Sequence, residues 1–153
     1  VMRIAQNGNI GLRMTDPIHP IHHISGAHLT AGGVWTNASD RNLKENFVPV
    51  DGKVLLEKID QLPISMWNYK AEGTVVKHIG PTAQDFHALF GVGDDDKTIS
   101  TIDPAGIALA TNQELKQRND SLAAENRTLA AKNDEISARL AALEAAVKSL
   151  MEK

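Results

Sequence analysis

The sequence predicts an α+β protein whose long C-terminal helix must pair with other helices. Three observations carry this. Leucine and isoleucine recur every seven residues through the C-terminal third of the 153-residue chain. The first 25 residues alternate loosely between apolar and polar and are punctuated by turn formers. Trp35, Phe47, Trp67, Tyr69, Phe86 and Phe90 all lie between positions 35 and 90, where a small compact core would be built.

Ile4, Ile10 and Leu12 suit short strands separated by Asn7-Gly8-Asn9 and Thr15-Asp16-Pro17. Beyond them, His19, His22, His23 and His28 gather around Pro17 and Pro20. Neutral imidazole is a common metal ligand. The chain has no cysteine, however, and Asp16 is the one neighbouring carboxylate. The reading is therefore a polar loop, with no metal and no cofactor assigned.

After Phe47-Val48-Pro49-Val50 and a turn at Asp51-Gly52, the spacing of Val54, Leu55, Ile59 and Leu62 predicts a helix that Pro63 stops. The stretch from Ile64 to Lys70 alternates like a strand. Ala71-Glu72-Gly73 reads as a turn, and Val75 to Ile79 as the partner strand. Pro81 opens a second helix that Gly91 ends. Asp94-Asp95-Asp96-Lys97 reads as a solvated acidic turn, since it lacks the spaced oxygens and closing glutamate of a calcium loop.

Leu115, Leu122, Leu129, Ile136, Leu143 and Leu150 occupy the d positions of a heptad repeat. Asn112, Asn119, Asn126, Asn133, Leu140 and Val147 occupy the a positions. A helix with so narrow an apolar stripe cannot bury it alone; at about 1.5 Å per residue it runs for roughly 60 Å. Asparagine at four successive a positions sacrifices stability for control of register and strand number. The apolar layers from Leu140 to Leu150 then form the firmest part of the seam.

The formal net charge is -3, and no basic stripe marks a nucleic-acid surface. No apolar run is long enough to span a bilayer, and no signal peptide is seen. Val1-Met2-Arg3-Ile4 reads as the middle of a longer chain.

The chemistry-bearing stretch follows the Gly-rich run Ala31-Gly32-Gly33-Val34-Trp35. Ala38-Ser39-Asp40-Arg41-Asn42-Leu43-Lys44-Glu45-Asn46 sets a hydroxyl and an amine five residues apart. A serine with a lysine base is one way to attack an amide. On a regular helix or strand these two side chains diverge. They meet only if the chain turns between them, and Asn37, Ser39, Asp40 and Asn42 are turn formers.

Ser39 to Asn46 resembles the opening of the chaperone-of-endosialidase domain, the intramolecular chaperone auto-processing domain at the C-terminus of phage tailspikes and tail fibres. The resemblance continues through Lys77-His78-Ile79-Gly80-Pro81-Thr82-Ala83-Gln84-Asp85-Phe86, Phe90-Gly91-Val92-Gly93, and Ile99 to Ala110. It implies an elongated homotrimer with three parts. Residues 1–38 would end a fibrous β stem, 39–110 would form a small α/β auto-processing core, and 111–153 would form a parallel trimeric coiled coil. It also implies a trimer seam of Leu115, Leu122, Leu129, Ile136, Leu140, Leu143, Val147 and Leu150. In such a trimer, histidines on the axis could ligate an ion threefold.

The same resemblance maps the nucleophile onto Ser39 and the base onto Lys44, with Asp40 and His78 as accessory candidates. Ser39 Oγ reaches the Ala38 carbonyl through a five-membered ring, whereas its own carbonyl would need a strained four-membered one. The favoured cut is therefore Ala38–Ser39, with Ser39–Asp40 second. Lys44 acts as a base only when neutral, so an ordinary lysine value near 10.4 must fall to about 7–8. Burial between subunits would supply the desolvation. Gly32, Gly33 and Ala38 offer close backbone approach and oxyanion donors.

The implied function is a self-cleaving serine peptidase and chaperone, acting once per chain. It trimerises the upstream stem of its own polypeptide and then releases itself. Its partners are its own copies and that stem, with no nucleic acid and no membrane. Folding is expected in the host cytoplasm, with the parent in the virion tail or on a cell surface and the chaperone fragment released. The alternative is a permanent, uncut trimerisation or receptor-binding tip.

Overall fold

The computed structural model describes residues 1–152, so Lys153, the last residue assigned to the heptad segment, lies outside the described residues. The chain divides into two compact units, Val1–Pro49 and Val50–Lys153.

The first unit is a five-stranded sheet in the order β1-β2-β3-β4-β5, made of Met2–Ile4, Ile10–Leu12, Ile21–His23, His28–Leu29 and Trp35–Thr36. β1 and β2 form an antiparallel hairpin, with Arg3 opposite Gly11. Gly8 closes its turn at φ 85, a left-handed conformation that suits glycine. β2 and β3 run parallel, with Gly11 opposite His22. A Cβ on Gly11 would sit 2.6 Å from the Met14 carbonyl oxygen, so the chain passes that point only without a side chain. Asn9 Nδ2 donates to the Pro17 carbonyl at 3.0 Å, tying the hairpin to the bend that leads into β3.

β3 and β4 form a second hairpin around Ser25 and Gly26, with His22 directly opposite His28. β4 pairs antiparallel with β5, with His28 opposite Thr36. After β5 the chain makes one 3-10 turn, Arg41–Leu43.

In the second unit, α1 spans Gly52–Gln61. Asp51 caps it, its carboxylate accepting from the Lys53 and Val54 amides. The expected turn at Asp51-Gly52 is thus the start of this helix. α1 packs on the long helix α3, Ile102–Met151. That helix begins at Ile102 and is about 75 Å long at the usual rise, longer than the heptads alone require. Pro104 falls in its first turn, where a missing N–H costs nothing.

β6, Ser65–Trp67, and β7, His78–Gly80, form a short antiparallel ladder. β7 starts later than the apolar run from Val75 suggests. Gly73 at φ 74 and the Glu72-to-Tyr69 backbone bond prolong the turn, and Val75 is left exposed. α2, Ala83–Phe90, is capped by Thr82 and ended by left-handed Gly91.

The core is thin. Among the described residues, Phe86 and Pro17 are the buried apolar side chains, whereas Trp35, Phe47 and Tyr69 are exposed. The expected aromatic core therefore splits into Phe86 against Phe90, with ring centroids 4.9 Å apart, and half-buried Trp67 against Tyr69, also at 4.9 Å. Thr111 and Glu114 are buried on α3 near α1. Thr111 donates its hydroxyl to the Ile107 carbonyl at 3.0 Å, and Glu114 accepts from Arg118 Nε at 2.8 Å.

Among the described residues, no helix is long and apolar enough to cross a membrane. The side chains at the heptad d positions, from Leu115 to Leu150, are exposed along α3.

Candidate functional site

The turn that Ser39 and Lys44 need to meet is present. Asp40 is extended and caps the 3-10 turn: its Oδ1 accepts from the Asn42 amide at 2.9 Å and from Asn42 Nδ2 at 3.1 Å. With three residues per turn instead of 3.6, the segment Arg41–Leu43 reverses the chain tightly. The Lys44 amide closes it on the Arg41 carbonyl at 3.1 Å. Lys44 is again extended, and its side chain folds back so that Nζ donates to Ser39 Oγ at 2.7 Å.

Both side chains are exposed, and Ala38, on the other side of the candidate bond, is half-buried. The Arg41 guanidinium lies 5.0 Å from the centre of the Phe47 ring, which holds the outgoing chain beside the turn. Asn46, at φ 55, supplies the second change of direction.

This arrangement can present a hydroxyl to the preceding carbonyl with an amine in direct contact. The other expected contributors are engaged elsewhere. Asp40 spends its carboxylate on the cap. The Gly33 amide donates to the Thr30 carbonyl at 3.0 Å in the β4–β5 turn, so it is not a free oxyanion donor. His78 belongs to the second unit. There its Nε2 meets Glu72 Oε2 at 2.8 Å, and its ring packs against Trp67 and Tyr69. Sequence reasoning did not pair Glu72 with His78, because the β6–β7 turn that joins them was expected to be shorter.

Residues 39–92 match a peptidase family model described as chaperone of endosialidase. The match supports the resemblance of this segment to an intramolecular chaperone domain. The match starts on Ser39 and ends at Val92, taking in the 3-10 turn, α1, the β6–β7 hairpin and α2 and stopping before α3. No curated protein and no solved structure gives a significant match to the chain.

The histidines resolve into two groups. His23 is not part of the converging set, its Nδ1 paired with Ser25 Oγ at 2.8 Å and accepting the Ser25 amide at 3.1 Å. His19, His22 and His28 converge on one face of the β3–β4 hairpin. The His19 and His28 rings stack at 3.6 Å, and His22 stands edge-on to both. A signal for this was present: His22 and His28 flank Ser25-Gly26, and a tight hairpin there sets them opposite each other.

Proposed function

We propose that the chain is a C-terminal intramolecular chaperone that trimerises through α3 and then cuts its own Ala38–Ser39 bond. The observation that carries this reading is the 2.7 Å contact between Lys44 Nζ and Ser39 Oγ at the first residue of the chaperone-of-endosialidase match. A nucleophile on the first residue of the matched segment is what self-release of that segment requires.

The mechanism follows from reach. Ser39 Oγ attacks the Ala38 carbonyl carbon, and neutral Lys44 accepts the hydroxyl proton. The C–N bond breaks, the proton passes to the Ser39 nitrogen, and an ester joins Ala38 to Ser39 Oγ. Water then hydrolyses the ester. The stem ends in the Ala38 carboxylate and the released piece begins with the free amine of Ser39.

In the single chain the exposed Lys44 acts as donor to the hydroxyl. Withdrawing an amine from water favours its neutral form, so burial against neighbouring copies would turn this donor into an acceptor. Cleavage would then wait for assembly.

Assembly is supported by the exposed d-position stripe on an unbroken 50-residue helix. One helix cannot cover that stripe, and parallel copies in register can. The physical benefit is kinetic. A stem of intertwined strands has slow, non-local nucleation, and joining three chains at one end raises the effective concentration of their strands.

The test is a denaturing gel with intact mass on wild type and Ser39→Ala. The expected result is a cut wild type whose C-terminal fragment begins with Ser39, and an uncut variant. An uncut, folded wild-type trimer would favour a permanent fibre tip instead.

A further inference from the structure

We propose that His19, His22 and His28 form a binding site for a divalent transition-metal ion of the zinc class, one ion per chain. Each offers one ring nitrogen, and these atoms lie within 4.8 Å of one another. Zinc–imidazole bonds of 2.0–2.1 Å place tetrahedral ligands about 3.3 Å apart. Closure therefore takes roughly an ångström of ring movement, chiefly a tilt of His19 off its stack on His28. His19 sits in a bend between Pro17 and Pro20, outside the strands, where its backbone is not held in a ladder.

Two further features fit ligation. His28 Nδ1 lies 2.9 Å from the Gly26 carbonyl oxygen. A donor at Nδ1 fixes the tautomer and leaves Nε2 as the lone pair, the usual outer support of a metal-bound histidine. His22 Nδ1 is buried without a hydrogen-bond partner, and a buried imidazole nitrogen with no partner is costly unless something binds it.

The donor set is three neutral nitrogens with no thiolate, which suits zinc, nickel, copper or cobalt and disfavours calcium and magnesium. With three protein ligands, solvent completes the coordination. The ion would clamp β3 to β4, and His28 is the residue opposite Thr36, two positions before Ala38.

The experiment titrates the untagged full-length chain with zinc chloride by calorimetry, and with cobalt(II) by visible absorption. The Ser39→Ala background keeps the chain intact, so the readout is independent of cleavage. Expected are one ion per chain and the visible bands of low-coordinate cobalt. Replacing His19, His22 or His28 by alanine should weaken binding by about tenfold or more, whereas His23→Ala should change it less than about twofold.

His28→Gln, checked for folding by circular dichroism, guards against loss by unfolding. Absence of saturable zinc binding by wild type at micromolar concentrations would overturn the proposal. So would one ion per three chains, or a His23→Ala loss equal to that of His28→Ala.

Discussion

Leu143 tests the assembly step most directly. It occupies a d position and is 66% exposed in the single chain. Fully burying a leucine is worth about 1.5–3 kcal/mol. Covering that exposed two thirds therefore contributes about 1–2 kcal/mol per chain, or about 3–6 kcal/mol over three chains. Leu143→Ala removes most of this while leaving the best helix former in place, so the loss reports packing. At 1.4 kcal/mol per factor of ten, the trimer dissociation constant should rise about a hundredfold to ten-thousandfold. Sedimentation velocity over a dilution series measures it. Lys148→Ala, at the exposed b position of the next heptad, is the control and should leave the constant unchanged. An unaltered constant for Leu143→Ala, or an equal loss for Lys148→Ala, would refute the seam. Leu143→Asp goes further by burying an unpaired charge, and it should suppress cleavage as well as assembly.

Lys44→Arg should abolish processing while the trimer persists, because arginine keeps its proton at any working pH; a fully cleaving variant would remove Lys44 as the base. Gly52→Ala should destabilise the second unit by about 1–3 kcal/mol in denaturant titration, despite alanine's better helix propensity. The added Cβ would lie 2.8 Å from Glu114 Cβ and 3.2 Å from the Ala110 carbonyl oxygen, and a neutral or stabilising result would mean that α1 does not pack on α3 this closely. Asp95 should titrate below the ordinary aspartate range near 3.9, because its carboxylate accepts from the Lys97 amide, the Thr98 hydroxyl and the Thr98 amide. A depressed folded value means its contribution is present above the unfolded pKa and lost as pH falls through the folded one. A carboxyl NMR titration with an ordinary midpoint, or the same midpoint in Thr98→Val, would contradict the turn.

What could be read from the sequence was mostly local. The stripe from Leu115 to Leu150 is a period within one helix. The end of α2 at Gly91 declares itself within one turn, and the acidic turn from Asp94 to Lys97 within its own loop, whereas the helix was read to open at Pro81 and opens after the Thr82 cap. What could not be read depends on partners distant in sequence. The parallel pairing of β2 with β3 has no turn signature. The exposure of Trp35, Phe47 and Tyr69 follows from which surfaces meet, which composition does not record. Gly52 looks like a turn residue until Glu114 is found against it. The contact of Ser39 with Lys44 lies between these cases: the turn formers permit it, but only the 3-10 geometry closes it, because an α-helical turn at the same residues would carry the amine away. The histidine trio needed the β3–β4 register, where a shift of one residue would put His23 opposite His28 and dissolve the cluster.

The strand β5 ends at Thr36, and the 3-10 turn with its lysine begins after Asp40. A break at Ala38–Ser39 therefore falls in the gap between the last rung of the ladder and the hook that would perform the cut. On the proposed reading, all five strands would stay on the N-terminal product. The hydroxyl and the amine would leave together on the other piece, so neither product would keep both the acyl end and the groups that activated it. Such a reaction would have no return path: the blade would go with the scaffold it frees.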